Sequence, residues 1–468
     1  MKHIIAGALL VGTAITSAHA ADLAARPYTK APPYVASIYD WTGFYFGVNA
    51  GVGLGRDRIT HGFGAAAFND SVYAGPQGVA GGGQIGYNWQ SNSSFLGLGP
   101  IVYGIEADIQ GSDMRDARSQ LASVGGITTN YNQRLDYFGT VRGRIGLTTG
   151  PVLSYVTGGY AYGSVKTDVI QTGGGLTATT QLDNMRSGYV LGSGVEAALG
   201  GNWTGKIEYL YLNMGTKSFG FTNLAVPQAL NSEIRENIFR VGLNYRIGGN
   251  GVYAPVMAAN WTGFYLGGNV GSGTARDRSS VTALGVTEIF NLAPDGYTGG
   301  VQAGYNWQAS NFVFGLEADI QASAQRDNKT CVFSCTAIAG AAFDAKLPYF
   351  GTARGRIGYS VGSTLFYATG GYAYGQVKTS AVSTATADSV TSTRSGYAVG
   401  GGIETPFTFL GLFGPNWTTK AEYLYVDLGS ATTNLNAPVA ASFTTRVTEH
   451  VFRTGINYHF NSPVVAKY

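Results

Sequence analysis

Cysteine is nearly absent: there are two in 468 residues, Cys331 and Cys335, both in one polar stretch. They say little about the fold. Long apolar runs are missing too. Beyond residue 20 no unbroken run approaches the roughly 20 residues that a membrane helix requires, so the chain does not cross a bilayer as a helix. Charge is scarce: Asp, Glu, Lys and Arg together make 12%, and 30 bases against 27 acids leave a net +3. Removal of Lys2 with a leader makes that 3 − 1 = +2. No nucleic-acid partner fits so small an excess, because such partners are met by a concentrated basic face. What the chain has instead is glycine, 70 residues, and aromatic side chains, 13%. That composition is too apolar and too aromatic for a disordered chain.

The chain opens as an exported protein does. Lys2 and His3 precede the apolar run Ile4 to Ala14, and Ala18-His19-Ala20 is a small-x-small site of the kind signal peptidase reads. Cleavage between Ala20 and Ala21 is expected, which makes 1–20 a signal peptide. No cysteine stands at the site, which argues against a lipoprotein. The Pro/Ala-rich stretch Arg26 to Ala36 then reads as a periplasmic leader over 21–40.

An internal duplication organises the rest. DWTGFYFGVNAG at Asp40 answers NWTGFYLGGNVG at Asn260, GYNWQ recurs at Gly86 and Gly304, and GIEADIQ at Gly104 answers GLEADIQ at Gly315. YFGTVRGRIG at Tyr137 returns as YFGTARGRIG at Tyr349, and NWTGKIEYLY at Asn202 as NWTTKAEYLY at Asn416. Two units, 41–247 and 261–460, tile almost the whole mature chain, with 248–260 as linker and 461–468 as tail. Read with period two, YFGTVRGRIG sends Thr140, Arg142 and Arg144 to one face and Val141, Gly143 and Ile145 to the other. Eight strands are expected in the first unit, starting near Gly43, Gly78, Phe95, Tyr131, Val152, Met185, Trp203 and Ile234. Long polar links, Arg56 to Gln77, Gly111 to Asn130, Val169 to Asn184 and Thr216 to Glu233, alternate with tight ones at Ser91 to Ser94, Thr148 to Pro151 and Gly200 to Asn202. Long loops on one rim and short turns on the other are how outer-membrane β-barrels are built.

Tryptophan and charge say which side faces lipid. All six tryptophans, Trp41, Trp89, Trp203, Trp261, Trp307 and Trp417, fall at strand ends on the short-turn side and are expected to form half of an interfacial girdle. With Ile105, Ile207, Val241 and Leu243 turned outward, the inward set of the first unit is Glu106, Asp108, Arg142, Arg144, Glu196, Lys206, Glu208 and Arg240. The second unit repeats it as Glu317, Asp319, Arg354, Arg356, Glu404, Lys420, Glu422 and Arg453. A basic side chain facing lipid at mid-depth costs about 2 to 4 kcal/mol, so these charges are expected to point inward and pair. The plainer reading is a structural network in a filled, narrow lumen, with inward glycines such as Gly192, Gly194 and Gly242 leaving room for packing; the alternative is an ion-selective pore.

WTGFY, GYNWQ, the G-x-EAD strand, YFGT-x-RGRIG, the K-x-EYLY strand and the closing GLNYRI and GINYHF together resemble the small outer-membrane β-barrel proteins of alphaproteobacteria, the porin-like major surface antigens. The resemblance covers both units. It implies an eight-stranded barrel of the Gram-negative outer membrane, abundant, immunogenic, inserted by the barrel-assembly machinery and contributing to envelope integrity. It also implies that haem binding or adhesion through the loops is within the family's range. The chain departs from the family in being duplicated and in running on through Pro463 to Tyr468 past Phe460, either of whose aromatics would serve as the assembly signal.

Catalysis finds no footing. Gly358-Tyr359-Ser360-Val361-Gly362 has nucleophile-elbow spacing but sits at a short turn between strands, and Gly81 to Gly86 matches a dinucleotide pattern with no helix behind it. His61, His450 and His459 do not recur between the units. No enzyme, cofactor or metal is expected. Two loop features remain. Arg56-Asp57-Arg58 and Arg276-Asp277-Arg278 leave the first strand of each unit at the outer rim. They read as solvated loop entrances, or as forks gripping lipopolysaccharide phosphates through Arg56, Arg58, Arg276 and Arg278. Cys331 and Cys335 are expected to form a small disulfide in an exported loop. The extracellular loops name no ligand.

The fold expected is all-β, an antiparallel transmembrane up-and-down barrel of sixteen strands arranged as two tandem eight-stranded barrels, with a structural and surface-interactive role. The alternative is one sixteen-stranded barrel acting as a general diffusion porin. The join Gly248 to Asn260, 13 residues, is longer than the two to five residues, roughly, that a hairpin within one sheet needs. Four acids balanced by four bases within each unit also suit two small interiors.

Overall fold

The computed structural model describes residues 39–63, 68–94, 100–121, 127–248, 259–283, 286–330, 342–382, 387–407, 413–436 and 440–460. The signal peptide and most of the leader, the centre of the linker, Cys331 and Cys335, and the tail from 461 lie outside them. Every regular element among the described residues is a strand. The first unit holds β1 (Gly43–Gly55), β2 (Asp57–Phe63), β3 (Phe68–Ala74), β4 (Gln77–Ser94), β5 (Pro100–Leu121), β6 (Thr128–Thr149), β7 (Val152–Gly173), β8 (Leu176–Gly200), β9 (Trp203–Asn223) and β10 (Val226–Ile247). The second holds β11 (Gly263–Ala275), β12 (Asp277–Ala283), β13 (Val286–Leu292), β14 (Asp295–Ala309), β15 (Phe312–Thr330), β16 (Ala342–Val361), β17 (Thr364–Val382), β18 (Ala387–Pro406), β19 (Trp417–Leu435) and β20 (Ala441–His459).

From β4 to β10 each strand pairs antiparallel with the next, and β1 pairs with both β4 and β10, which closes a ring of eight. In the second unit β11 closes the ring between β14 and β20 in the same way. These are two barrels. The single sixteen-stranded ring is overturned, because β10 pairs back to β1 and not forward to β11. Closure leaves neither barrel with an open edge inside the membrane, where an unpaired backbone group has no water to bond to.

The expected long polar loops are corrected. β7 and β8 continue to a two-residue turn, Gly174-Gly175, with φ of 59° and 78°, and β9 and β10 meet at Leu224-Ala225, with φ of 49° and 63°. β5 runs to Leu121 and β6 starts at Thr128, while Arg56 to Gln77 contains the β2–β3 hairpin, added onto β10 outside the ring. The strands expected to begin at Tyr131, Met185 and Ile234 accordingly begin at Thr128, Leu176 and Val226. Stretches such as Lys166 to Thr172 keep a period of two, with Thr167, Val169 and Gln171 buried and a mostly polar outward face of Lys166, Asp168 and Thr172. Outside the membrane such a wall is stable, so polarity does not mark a loop there. The pairing shifts register at the base of this outer wall in both barrels, for example between Gly111 and Met114 and between Ala322 and Gln325. Bulges of this kind re-aim a strand where its surroundings change.

The outward faces carry an apolar belt: Val48, Ile85, Ile105, Val141, Ile145, Leu191 and Val241 are all exposed, as are Val270, Leu316 and Ile357 in the second barrel. A belt of this size is the lipid-facing band of a membrane barrel. Trp89, Trp203 and Trp307 face outward at its short-turn edge, and Tyr137, Tyr189 and Tyr397 at the opposite edge.

Candidate functional site

The chemistry-bearing residues are gathered in the two lumens. Strands β5, β6, β8, β9 and β10 aim Glu106, Asp108, Arg142, Arg144, Glu196, Lys206, Glu208 and Arg240 inward, and all eight are buried. Arg142 is the hub. It ion-pairs with Asp108 and Glu208 at 3.0 Å each and with Glu106, and its Nε donates to the Thr140 hydroxyl at 2.9 Å. Lys206 Nζ reaches Glu106 at 2.9 Å, while Arg240 bonds Glu208 through Nε at 2.6 Å and Asp108 at 2.9 Å. Arg144 holds Glu196 at 2.9 Å and lies between the rings of Tyr45 and Tyr155, at 4.6 and 5.2 Å. The tyrosine hydroxyls donate to Glu106 and Glu208, both at 2.8 Å.

The second lumen repeats the arrangement. Arg354 bonds Asp319 at 3.0 Å, Glu422 at 3.1 Å and Glu317 at 2.5 Å; Lys420 meets Glu317 at 2.9 Å; Arg453 meets Asp319 at 2.9 Å and Glu422 at 2.5 Å; and Arg356 meets Glu404 at 3.0 Å. Strand pairing explains the fit. Glu106 stands directly across from Arg142, Glu208 from Arg240 and Glu196 from Lys206, with the same opposition at Glu317 and Arg354, Glu422 and Arg453, and Glu404 and Lys420. Glycine makes the space. A Cβ on Gly86 or Gly194 would overlap the phenol of Tyr45 or Tyr155, so the GYNWQ and GSGVE strands can accept these rings only as glycine.

Layers above and below the charges complete the filling. On the extracellular side Met114, Leu135, Phe138, Leu210, Leu212 and Ile238 pack as one buried cluster, with Leu347, Phe350, Leu424 and Val451 in a corresponding cluster of the second barrel. Higher still, outside the membrane, His61 sits between Tyr131 and Gln228: Tyr131 Oη lies 2.6 Å from Nδ1, and Gln228 Oε1 lies 2.7 Å from Nε2. Burial pushes the His61 imidazole down to about 4, because its charged form has lost its water. Neither the apolar layer nor the His61 cluster was found in the sequence. An inward-facing leucine at strand period looks the same there as a lipid-facing one.

Trp41 and Trp261 are corrected. Both are fully buried and close the periplasmic mouths instead of joining the girdle. Each precedes its first strand, where the side chain of Gln90 or Gln308 accepts from the tryptophan backbone N–H at 2.8 or 2.7 Å and turns the chain across the mouth. Trp41 packs on Val102, Leu153 and Tyr155, and Trp261 on Val313, Leu365 and Tyr367. Trp89, Trp203 and Trp307 face outward, whereas Trp417 is half-buried against Phe413 and Tyr458, 5.2 Å from each ring.

Arg56 and Arg276 are corrected as well. Each occupies the one-residue break after the first strand of its unit, where the other barrel is within reach. Arg56 pairs with Asp327 at 2.8 Å and Asp295 at 3.3 Å; Arg276 is buried and donates to the backbone oxygens of Gly55 and, at 3.4 Å, Leu54. They clasp the two units. Arg58 and Arg278 are exposed. Toward the membrane the clasp continues in exchanged aromatics: Tyr209 stacks on Phe452 at 5.9 Å and Phe239 meets Tyr423 at 5.1 Å. These are matched positions of the two repeats, so the units meet about an approximate two-fold axis.

A closed ring of eight strands made twice, with an apolar outside and a charged, packed inside, is the build of an outer-membrane barrel. The model of the outer membrane protein beta-barrel domain matches residues 6–246 and again 250–460. The chain belongs to that family. It is a Gram-negative outer-membrane protein in tandem form. The 31 kDa outer-membrane immunogenic protein of Brucella melitensis is 34% identical over 255 residues, which is all of that protein and 53% of this chain. The 22 kDa outer membrane protein of Rhizobium leguminosarum bv. viciae is 33% identical over 212 residues, 82% of its length and 44% of this one. Among solved structures, Neisserial surface protein A aligns over 98% of its chain and 42% of this one, with 14% identity and a TM-score of 0.24.

Proposed function

We propose that this outer-membrane protein is a non-conducting pair of barrels that reinforces the envelope and presents its tall extracellular hairpins as an interaction surface. The observation that carries the reading is the filling of both lumens: a tryptophan at the mouth, eight paired charges at mid-depth, then an apolar layer. Four acids against four bases leave no fixed charge to select a passing ion, and the bases are all engaged by buried carboxylates. Planar-bilayer recording of the purified protein tests this. Insertions without a steady conductance are expected; sustained open steps that scale with the number of insertions would sink the reading.

Lipopolysaccharide belongs to the proposal only through Arg58 and Arg278, the two exposed arginines of the RDR segments. Replacing both with Gln is expected to lower the lipopolysaccharide that co-purifies, and an unchanged content would remove that contact. No catalytic step belongs to this reading.

A further inference from the structure

Below the arginine clasp and the exchanged aromatics the two barrels part, leaving hollows whose walls are outward, lipid-level surface of both units. The larger cavity, about 650 Å³, is bounded by β1, β9 and β10 on one side and β15 to β18 on the other. A second, about 550 Å³, is bounded by β5 to β8 and by β18 to β20. β15 to β18 duplicate β5 to β8, and β9 and β10 duplicate β19 and β20, so the approximate two-fold axis builds two related grooves.

We propose that these grooves are binding sites for the acyl chains of phospholipid from the periplasmic leaflet. Ile207, Val241, Phe366 and Ile403 supply an apolar wall, recessed where Gly205 and Ala368 carry little or no side chain. Water in such a space would find few hydrogen-bond partners, whereas hydrocarbon gains dispersion contacts on both walls. Depth selects the leaflet. Leu199, Phe312 and Tyr359, which help line the larger groove, stand at the short-turn ends of β8, β15 and β16, beside the outward tryptophans, while Tyr423 and Phe452 close its other end. Chains therefore enter from the periplasmic side, and the lipopolysaccharide leaflet is shut out by the clasp. The inference is independent of conductance, since the grooves lie outside both lumens.

The test uses the full mature chain refolded into phosphatidylethanolamine and phosphatidylglycerol vesicles that contain phosphatidylethanolamine with a photoactivatable diazirine at the acyl terminus. After illumination, adducts are expected to concentrate on Ile207, Phe366 and Ile403, above the level on lipid-facing residues away from both grooves such as Ile85 on β4. A Cβ built at Gly205 meets only Leu199 and Phe366 side chains, the closest at 3.4 Å, so Gly205→Phe projects into the groove without backbone conflict. That variant, and Ala368→Phe beside it, should lose the seam adducts while keeping the heat-dependent gel shift of a folded barrel. Gly83→Leu, on β4, which lines neither groove, and whose Cβ would meet only the Gly47 oxygen at 3.8 Å, should keep them. Adducts spread evenly around the barrels would overturn the proposal. So would seam adducts that survive in the folded Gly205→Phe or Ala368→Phe protein, or lipopolysaccharide replacing phospholipid in native mass spectra of protein extracted from cells. If neither filling variant folds, the wild-type adduct map decides alone.

Discussion

Arg354→Ala tests whether the lumen charges hold the barrel together. The guanidinium is fully buried and contacts three carboxylates: Asp319 at 3.0 Å, Glu422 at 3.1 Å and Glu317 at 2.5 Å. Its Nε also donates to Thr352 at 2.8 Å. Removal leaves four buried acids facing Lys420, Arg356 and Arg453. Glu317 keeps Lys420 at 2.9 Å with Arg453 and Arg356 at 3.6 and 3.8 Å, Glu422 keeps Arg453 at 2.5 Å with Lys420 at 3.9 Å, and Asp319 keeps Arg453 at 2.9 Å, but each loses its share of the hub. Breaking a buried pair from one side costs about 3–5 kcal/mol, whereas an exposed pair is worth about 0.2–1 kcal/mol. Denaturant titration in vesicles, with the folded fraction read from the gel shift, should therefore show a loss of several kcal/mol. Arg354→Met with Glu422→Gln should lose less than the sum of the single variants, because the two partners couple. A loss below about 1 kcal/mol, or strict additivity in that cycle, would refute a filled, dry network.

The clasp gives a second prediction: replacing Arg56 and Arg276 with Gln should leave the lipopolysaccharide content unchanged. It should also raise exchange of the Gly55 N–H, which bonds the Pro76 oxygen at 2.6 Å next to the carbonyl that receives Arg276 and loosens with it; unchanged exchange there would count against it. The extracellular turn of β9 and β10 places two non-glycine residues at positive φ, a strain of about 1–2 kcal/mol each. Leu224→Asn with Ala225→Gly, the pair such a turn favours, should raise protection of the hairpin tip, and lower protection would contradict the turn geometry. His61 gives a pH dependence with a definite sign. Its folded pKa lies below the unfolded value, so its contribution is complete above about pH 6.5 and declines as pH falls toward about 4. The loss is at most about 3 kcal/mol. Outer-wall hydrogen exchange should rise over that window in the wild type and far less in His61→Gln, and equal slopes would exclude the histidine.

Where the sequence failed, it failed for identifiable reasons. The polar stretch from Val169 to Asn184 was read as loop because a membrane template expects apolar outward residues, yet the wall continues into water, where that demand lapses. Trp41 and Trp261 share the rim of the other tryptophans but precede their strands, so no period assigns them a face. Arg56 and Arg276 look like solvated termini until the other barrel is seen within reach.

Period two, the repeated motifs and the balance of inward charges are local regularities, and they determined by themselves that the chain makes membrane strands, that it makes them twice, and which face is polar. Closure was left to the tertiary structure, since β10 could pair equally well in sequence terms with β1 or with its homologue β11. So were the plug, the clasp and the grooves, each of which depends on residues far apart in the chain meeting in space. A strand's pattern constrains only its own two faces; the curvature of the whole ring decides which strand lies at its edge and what stands across the lumen or beside the wall.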